Sequence, residues 1–397
     1  PAMACAYGTI NALDLGEKRM NALLDEYGDA TIGACLSELK DRAAELMRAQ
    51  IRALPDGTVS AEDFLDNDGI VDEPLKIALD LTIDGDQMVM DFSRSSPACA
   101  GPVNISRSTT VAACYVALKH VFGEVPAYAG VLEPVEFKID ADSLLSVTAP
   151  KPVGGYTETI LRLIDVVFQA IAKIAPEPAM ACAYGTINAL SLAGHRQNGQ
   201  RWVMFSFFGG GHGAHGAGDG LNHGNAPIST ATIPPLEILE AAYPVRFDQW
   251  ALRSDSGGPG TFRGGLGAVY EIALREEQAD VFLFGERGKY PPPGVVGGGA
   301  GATNHFAFEQ DDGEHSPPMV SKMVGIHITR DQSLRLETPG GGGYGAALER
   351  DPQRVAEDVR LGYVSAEAAD KNYGVVLNAD GSVDDAQTHT RRKGAGQ

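Results

Sequence analysis

The sequence predicts an α+β fold: a helical N-terminal segment, a mixed α/β middle, and a β-rich, glycine-rich C-terminal half with terminal helices. Three observations lead to this prediction. Apolar residues recur at helical spacings between residues 15 and 51. Short runs in the middle of the chain alternate apolar and polar residues. From residue 191 onward, glycine and proline turns separate short apolar runs.

The first helical pattern lies in "LGEKRMNALLDEYGDATIGACLSELKDRAAELMRAQIRALPDG". Its leucines, Met47 and Ile51 recur mostly three or four positions apart, which is the spacing of one helix face. We expect two helices, separated by a break from Gly28 to Gly33. The second helix should stop at the turn signal of residues 55–57, Pro-Asp-Gly.

Strand signals follow these helices. Residues 75–92, "LKIALDLTIDGDQMVMDF", alternate around an Asp-Gly pair and predict a hairpin. A second strand-like run, "VEFKIDADSLLSVTAP", begins at Val135. Residues 159–175 are apolar nearly all round, so we expect a buried helix there.

The composition of the chain changes at residue 191, after which glycine is frequent. The runs "RWVMFSFF", "GAVYEIAL" and "DVFLFGE" predict short strands, and Asp351-Pro352 is a helix start signal. The polar tail after Val376 is expected to fray. The predicted organisation is a doubtful duplicated segment (1–13), an α/β region (14–190), a glycine-rich β region with closing helices (191–377) and a tail (378–397).

An identical segment, "PAMACAYGTINAL", occupies residues 1–13 and returns at residues 178–190. Solenoid repeats recur several times at periods of roughly 20 to 50 residues, which this segment does not do. A diverged duplication would carry substitutions throughout, whereas here the similarity ends abruptly after the last shared leucine. We therefore expect the second copy to be the natural one, and we give the first copy no functional weight.

Composition excludes several classes of function. The 397 residues include 52 acidic and 32 basic side chains, a formal net charge of -20, which disfavours nucleic acids and anionic membranes as partners. No apolar run approaches the roughly 20 residues of a membrane helix, and the start lacks a secretory signal pattern, so we expect a cytoplasmic protein. Five cysteines without a CxxC pair predict buried free thiols rather than disulfides or a zinc site.

The densest group of chemically capable side chains lies in "GGGHGAHGAGDGLNHG". His212, His215, Asp219 and His223 combine imidazoles with a carboxylate, a set suited to a divalent metal. The glycines allow two other interpretations: a flexible loop that contacts substrate, with one histidine shuttling a proton, or a purely structural turn. We favour the substrate-contacting loop, treat these four residues as candidate catalytic groups and assign no metal ligands.

Two further stretches hold candidate site residues. In "KPVGGYTETILR", Thr157 is a candidate helix cap, and Glu158 is either a first-turn carboxylate or a catalytic one. In "SDSGGPGTFRGGLG", Arg263 either clamps a carboxylate or phosphoryl group or binds backbone carbonyls of its own turn. The run "ETPGGGGYG" lacks the Lys-Ser/Thr of a P-loop, so nucleotide binding is not expected there.

The order of these motifs resembles the hydantoinase B family. The stretches "VGGYTETILRLIDVV", "GGGHGAHGAGDG", "SGGPGTFRGGLG", "GERGKYPPPGVVGGGAG" and "LETPGGGGYGAALERDPQRVAEDVRLGYVSAEAADKNYGVVL" carry the resemblance, which covers residues 15–377. That family includes B-type subunits of N-methylhydantoinases, the corresponding half of 5-oxoprolinases, and subunits of acetone and acetophenone carboxylases.

The resemblance implies a partnership. In such enzymes ATP is held by an A-type ATPase subunit, which phosphorylates the carbonyl oxygen of the substrate, and the B-type subunit processes the activated intermediate. The expected function is therefore that of one subunit of an ATP-dependent hydantoinase or 5-oxoprolinase acting on a small cyclic amide. The alternatives are a subunit of a ketone carboxylase and a non-catalytic scaffold. A divalent metal accompanies the carboxylase members, and we assign it no position.

The resemblance also adds candidate substrate contacts, Tyr156 and Thr159 beside Arg263. Tyr156 stands in "GGYTET" where members commonly have an asparagine, and Phe205-Ser206-Phe207 replaces a frequent Tyr-Glu-Thr. Members also have a substantial region before the helices, with histidine- and aspartate-containing segments, for which we find no counterpart in this sequence.

Overall fold

The computed structural model describes residues 2–225, 227–229 and 234–395. The helices within these ranges are α1 Ala2–Tyr27, α2 Asp29–Arg52, α3 Arg107–Val121, α4 Tyr156–Ile174, α5 Leu236–Ala242, α6 Pro352–Arg360, α7 Ala366–Tyr373 and α8 Asp385–Ala395. The strands there are β1 Gly57–Leu65, β2 Leu75–Asp84, β3 Gln87–Asp91, β4 Val135–Lys138, β5 Ala189–His195, β6 Arg201–Phe207, β7 Val245–Leu252, β8 Ala268–Leu274, β9 Gln278–Phe284, β10 His305–Gln310, β11 Gly313–His315, β12 Lys322–Thr329 and β13 Ser333–Glu337. The α+β prediction is confirmed.

The first half is built on a sheet in the order β1-β2-β3-β4, with α3 and α4 supplying much of the core. The predicted hairpin is confirmed as β2 and β3, which pair antiparallel from Asp80 to Asp91. Strand β1 was not predicted, although it pairs with β2 along its whole length. The run from Val135 is a strand only as far as Lys138, where β4 pairs parallel with β3.

The second half contains two sheets, β11-β10-β13-β8-β7 and β12-β9-β5-β6, that share one hydrophobic core. The three predicted strands of this half are confirmed as β6, β8 and β9. Along β6, buried and exposed side chains alternate strictly, as expected of a strand with one face on a core.

Two helix boundaries correct the sequence predictions. Only Gly28, with φ +80°, interrupts the first helical stretch, and Gly33 lies inside α2. Helix α4 begins at Tyr156 after Gly155, with no side-chain cap, so the prediction that Thr157 caps it is wrong. The backbone has already entered the helix when it reaches Thr157, and Glu158 does lie in the first turn.

The two identical segments adopt different conformations. Residues 2–13 belong to the long helix α1, which is exposed from residue 6 to residue 13. Residues 181–188 of the second copy have no regular secondary structure, are almost wholly buried and continue into β5. In the second copy, Ala181 N donates to Ala214 O at 2.8 Å and Tyr184 N donates to Gly211 O at 2.8 Å. Because the two sequences are identical, their tertiary contacts determine the conformation.

Extended glycine-rich segments pack side by side in the second half and form what we call the glycine bundle: residues 181–184, 209–214, 257–265, 293–301 and 339–344. Gly341 N donates to Gly265 O at 2.9 Å, and Gly265 N donates to His212 O at 2.8 Å. A Cβ placed on Gly341 would lie 2.0 Å from His212 O. In these segments the missing Cβ atoms permit close backbone packing.

The C-terminal segment is also more ordered than expected. Residues 385–395 form α8 instead of fraying, since Arg391 Nε donates to Asp370 Oδ1 at 2.7 Å and Arg392 Nη2 donates to Arg350 O at 2.7 Å. Among the cysteines with described side chains, Cys99, Cys114 and Cys182 are buried free thiols, and Cys35 is free but exposed. Of the helices in the described ranges, none has the length and apolar composition needed to cross a bilayer.

Candidate functional site

A cleft of about 610 Å³ lies where the first half meets the glycine bundle. This volume falls within the roughly 300 to 1,000 Å³ of small-molecule sites. Helix α3 contributes His120, α4 contributes Phe168, and the second half contributes His215 and Tyr344. The remaining lining residues are Val121, Glu177, Pro178, Met180, Gly216 and Ala217.

The two histidines of the cleft carry their protons on different ring nitrogens. His120 Nδ1 lies 2.8 Å from Val116 O, and a carbonyl only accepts, so Nδ1 carries a hydrogen and in the neutral ring Nε2 is an acceptor. His215 Nδ1 accepts from Ala217 N at 3.3 Å, so in the neutral ring Nε2 carries the hydrogen and donates. The cleft therefore offers one imidazole acceptor and one imidazole donor.

Aromatic and acidic groups complete the cleft. The ring of Phe168 meets that of His120 edge-on, with centroids 5.8 Å apart. Tyr344 OH donates to Pro176 O at 2.9 Å, and burial together with the nearby Glu177 carboxylate raises the pKa of Tyr344. The hydroxyl thus stays protonated at neutral pH and holds the rim of the cleft.

His212 does not line the cleft that His215 reaches. Its Nε2 hydrogen-bonds to Asn225 O, and its ring lies 6.3 Å from that of Tyr184, centroid to centroid. Burial lowers the pKa of His212 and favours the neutral ring, whose Nε2–H donates to the Asn225 carbonyl.

His223 belongs to an aromatic cluster. Its Nε2 accepts from Trp250 Nε1 at 3.1 Å and also contacts the Tyr270 hydroxyl. Burial lowers the pKa of His223 and favours the neutral ring. Its accepting nitrogen is thus engaged by an indole N–H rather than free for a metal.

Asp219 and Arg263 lie in one ion-pair network that is separate from the cleft. Asp219 accepts from Arg263 N at 2.7 Å and from Arg350 Nη1 at 2.6 Å. Burial alone would raise its pKa, but these bonds outweigh it, and the pKa of Asp219 is lowered. Arg263 Nη1 donates to Gly264 O at 2.6 Å, and its Nε lies 3.5 Å from Asp358 Oδ2. These contacts match the backbone-carbonyl interpretation of Arg263.

The candidates on α4 have separate surroundings. Tyr156 is exposed at the start of the helix, and Thr159 is buried with its hydroxyl donating to Val103 O. Glu158 is completely buried and accepts from Ile187 N at 3.2 Å through Oε1. Neither Glu158 nor Thr159 lines the cleft.

Sequence analysis missed a buried charge network that joins the two halves. Arg287 Nη1 donates to Asp63 Oδ2 at 2.8 Å, and its Nη2 contacts Asp165 Oδ2. Arg162 also contacts Asp63, at 3.3 Å, and Lys322 pairs with Glu286. A signal was present, because Arg162 and Asp165 interrupt a helix that is otherwise apolar nearly all round.

The sequence-predicted metal set is dispersed. His212, His223 and Asp219 each bind different protein groups, and of the four only His215 reaches the cleft. Within the ranges that the structure describes, no three His, Cys, Asp or Glu side chains are placed to hold one metal ion. These residues do not fit the divalent metal expected from the carboxylase members, so no chemical step is derived through one.

The buried Glu158 predicts a pH-dependent stability. Burial, reinforced by the charge of Glu286, raises the pKa of Glu158 from 4.5 to about 8. A raised folded-state pKa means that the stabilising contribution is complete below 4.5 and is lost as pH rises through about 8. Each pH unit in that window costs at most about 1.4 kcal/mol.

Glu158→Gln should therefore flatten this dependence and raise the unfolding free energy relative to the natural chain above pH 8. Denaturant unfolding of both chains at pH 5 and pH 9 measures the difference. A variant that loses equal stability at both pH values would contradict this prediction.

Comparison with known proteins identifies the family. A family model described as hydantoinase B/oxoprolinase matches residues 6–347. This chain belongs to the hydantoinase B/oxoprolinase family, as the motif order suggested.

Individual relatives agree with this. The β subunit of caprolactamase from Pseudomonas jessenii is 30% identical over 420 residues, covering 98% of this chain and 70% of the relative. The crystal structure of that ATP-dependent caprolactamase matches with a TM-score of 0.84 at 29% identity, covering 97% of this chain and 68% of that one. A nucleotide-free acetone carboxylase structure matches with a TM-score of 0.81 at 20% identity over 95% of this chain and 57% of that one, which shows the fold alone.

A further relative comes from Pseudomonas sp. strain NS671, where it is described as the B-type subunit of a D-/L-hydantoinase. It is 28% identical over 397 residues and 97% of this chain. The chain spans 66% of that relative's length.

Proposed function

We propose that this chain is the B-type subunit of an ATP-dependent, cytoplasmic enzyme that opens a cyclic amide after a partner subunit has phosphorylated its carbonyl oxygen. Family membership and the similarity to a caprolactamase β subunit support the reaction class. The observation that carries the proposal is the cleft, where His120 and His215 present an acceptor and a donor beside an apolar wall.

The hydrogen bonds of the glycine bundle support the proposal that a hydantoinase A-type partner binds ATP. A phosphate-binding glycine loop needs free backbone N–H groups. Here Gly341, Gly342 and Gly343 donate theirs to Gly265 O, Cys182 O and Gly299 O at 2.8 to 2.9 Å. These backbone N–H groups are already hydrogen-bonded within the protein, which supports nucleotide binding on another chain.

Within the cleft, His215 is the sequence-predicted residue to which we assign a direct role. Its Nε2–H can donate to the carbonyl or phosphoryl oxygen, and His120 Nε2 can accept a proton from water or from the ring nitrogen of the substrate.

The other sequence-predicted residues have supporting positions. Glu158, Asp219, His212 and His223 hold the surrounding elements in place through the contacts described above. Arg263 and Thr159 bind backbone carbonyls, so among the three proposed substrate contacts only Tyr156 keeps an exposed position.

The test is ATP turnover by the complex of the full-length subunit with its partner, supplied with hydantoin, 5-oxoproline or acetophenone. We expect ADP release and ring opening with a cyclic amide. Bicarbonate-dependent consumption of acetophenone would instead favour the carboxylase alternative, and a complex that turns over ATP with none of the three compounds would contradict both interpretations.

His215→Ala should lower kcat of that complex by about a hundredfold, the lower range of general acid-base contributions. His315→Ala is the matched control, because His315 lies on the β10–β11 hairpin, away from the cleft, and bonds to Asp312 there. Equal kcat values for the two variants would show that His215 and the cleft take no part in the reaction. Elemental analysis of both variants checks that metal content does not change with activity.

A further inference from the structure

We propose that the cleft selects uncharged cyclic amides over ring amides that carry a carboxylate, and that Glu177 sets this preference. This inference rests on the proposed function and deepens it, because it names the substrate class within the cyclic amides.

The charge of the cleft lining is the first observation. Its ten residues include no lysine and no arginine, and Glu177 is the single carboxylate among them. In the part of the chain that the structure describes, no lysine, arginine or histidine lies within ion-pair distance of Glu177. The Glu177 carboxylate is therefore exposed and has no ion-pair partner at the cleft, on a chain whose formal net charge is already -20.

The fixed tautomers of the two histidines are the second observation. A cyclic amide presents one N–H donor and one C=O acceptor, both uncharged. His120 Nε2 can accept from the N–H, and His215 Nε2–H can donate to the C=O. Both polar groups of an uncharged amide thus find partners in the cleft.

The apolar lining is the third observation. Val121 and Met180 offer carbon surface to the methylene or ring carbons of the ligand, backed by the buried ring of Phe168. A ligand carboxylate would find no lysine or arginine among the lining residues, and it would face the like charge of Glu177. A site that leaves an anion without a partner discriminates against it.

Hydantoin and 5-oxoproline form a matched pair for the test. Both are five-membered ring amides, but only 5-oxoproline carries a carboxylate. With the full-length subunit in its complex, we expect kcat/KM for ATP-dependent opening to be about fivefold higher for hydantoin, since Glu177 is exposed and a like-charge contact in water is worth about 1 kcal/mol.

Glu177→Gln should raise the ratio of kcat/KM values, 5-oxoproline over hydantoin, by about fivefold, since the amide is isosteric and uncharged. Glu177→Arg should raise it further. Glu314→Gln on the exposed β11 is the control and should leave the ratio unchanged. Thermal unfolding of each variant confirms that it is folded.

A natural preference for 5-oxoproline, or an unchanged ratio in Glu177→Gln, would overturn this inference. Absence of ring opening with either compound would refute the proposed function instead. Calorimetric binding of the two rings to the same complex then decides the selectivity independently. Tighter binding of hydantoin, by a ratio that Glu177→Gln reduces, supports the inference, and equal binding contradicts it.

Discussion

Gly341→Ala should destabilise the second half of this protein by about 3 kcal/mol or more, which is the upper range for inserting atoms into a packed interior. The new Cβ would lie 2.0 Å from His212 O, 2.2 Å from His212 C and 2.7 Å from Gly213 N. All of these are backbone atoms, so no side chain can rotate to make room.

The hydrogen bonds of the glycine bundle transmit a displacement of residue 341 to the neighbouring segments. Gly341 N donates to Gly265 O, while Gly258 N donates to Gly341 O at 2.8 Å. Moving residue 341 outward therefore disturbs two neighbouring segments at once. Since His212 is on the contacted segment and His215 is three residues further along, we also expect activity to fall with stability.

Gly123→Ala is the matched control for this prediction. Its φ is not positive, and the nearest atom to a new Cβ is Lys119 O at 3.9 Å, an ordinary contact. The expected change in unfolding free energy is within about 1 kcal/mol. Thermal and denaturant unfolding of the two full-length variants measure the contrast, and similar midpoints would show that the bundle tolerates side chains.

The glycine bundle also shows where sequence analysis reaches its limit. The motifs marked the right segments, and strands β6, β8 and β9 followed from short apolar runs between glycine and proline turns. Glycine composition, however, is compatible with both mobility and close packing, because the missing Cβ permits either. Only the neighbouring segments, which are distant in sequence, decide between them.

Residue identity alone was equally insufficient in the duplicated segment. The same sequence forms part of a helix at residues 2–13 and a buried, non-helical run at residues 181–188. Tertiary hydrogen bonds to Gly211 and Ala214 select the non-helical form in the second copy. Local propensity is a weak preference that such contacts override.

For the candidate site, the sequence supplied His215 but not its surroundings. His120 lies on α3 and Glu177 on the connection after α4, and neither belongs to a motif that marks chemistry. Their proximity to His215 results from packing of the first half against the bundle. The charge network had the same limitation, since Arg287 and Asp63 are 224 residues apart.

Arg287→Met should cost about 3 to 5 kcal/mol of unfolding free energy, the range for breaking a buried ion pair. Arg287 is completely buried, and it contacts both Asp63 and Asp165, which are also buried. Removing the guanidinium takes away the cation that these two carboxyl groups share. Arg360→Ala is the control, because its partner Glu357 is exposed and the pair should contribute little.

A second change distinguishes loss of the charge pair from loss of packing. In Arg287→Met combined with Asp165→Asn, one unpaired carboxyl is replaced by an uncharged amide. The double variant should therefore recover part of the stability lost in Arg287→Met. If the two changes simply add, the arginine contributes through packing alone.

The pH dependence of the single variant gives an independent check. Burial raises the pKa of Asp63 and Asp165, opposed in the natural chain by the charge of Arg162. Without Arg287, both folded-state pKa values should rise further above the unfolded ones. Protonated carboxyls fit a buried site, so stability is retained below the unfolded pKa and lost as pH rises through the folded one. Arg287→Met should thus be closer to the natural chain at pH 5 than at pH 8, and the opposite order would contradict the assignment of these charges.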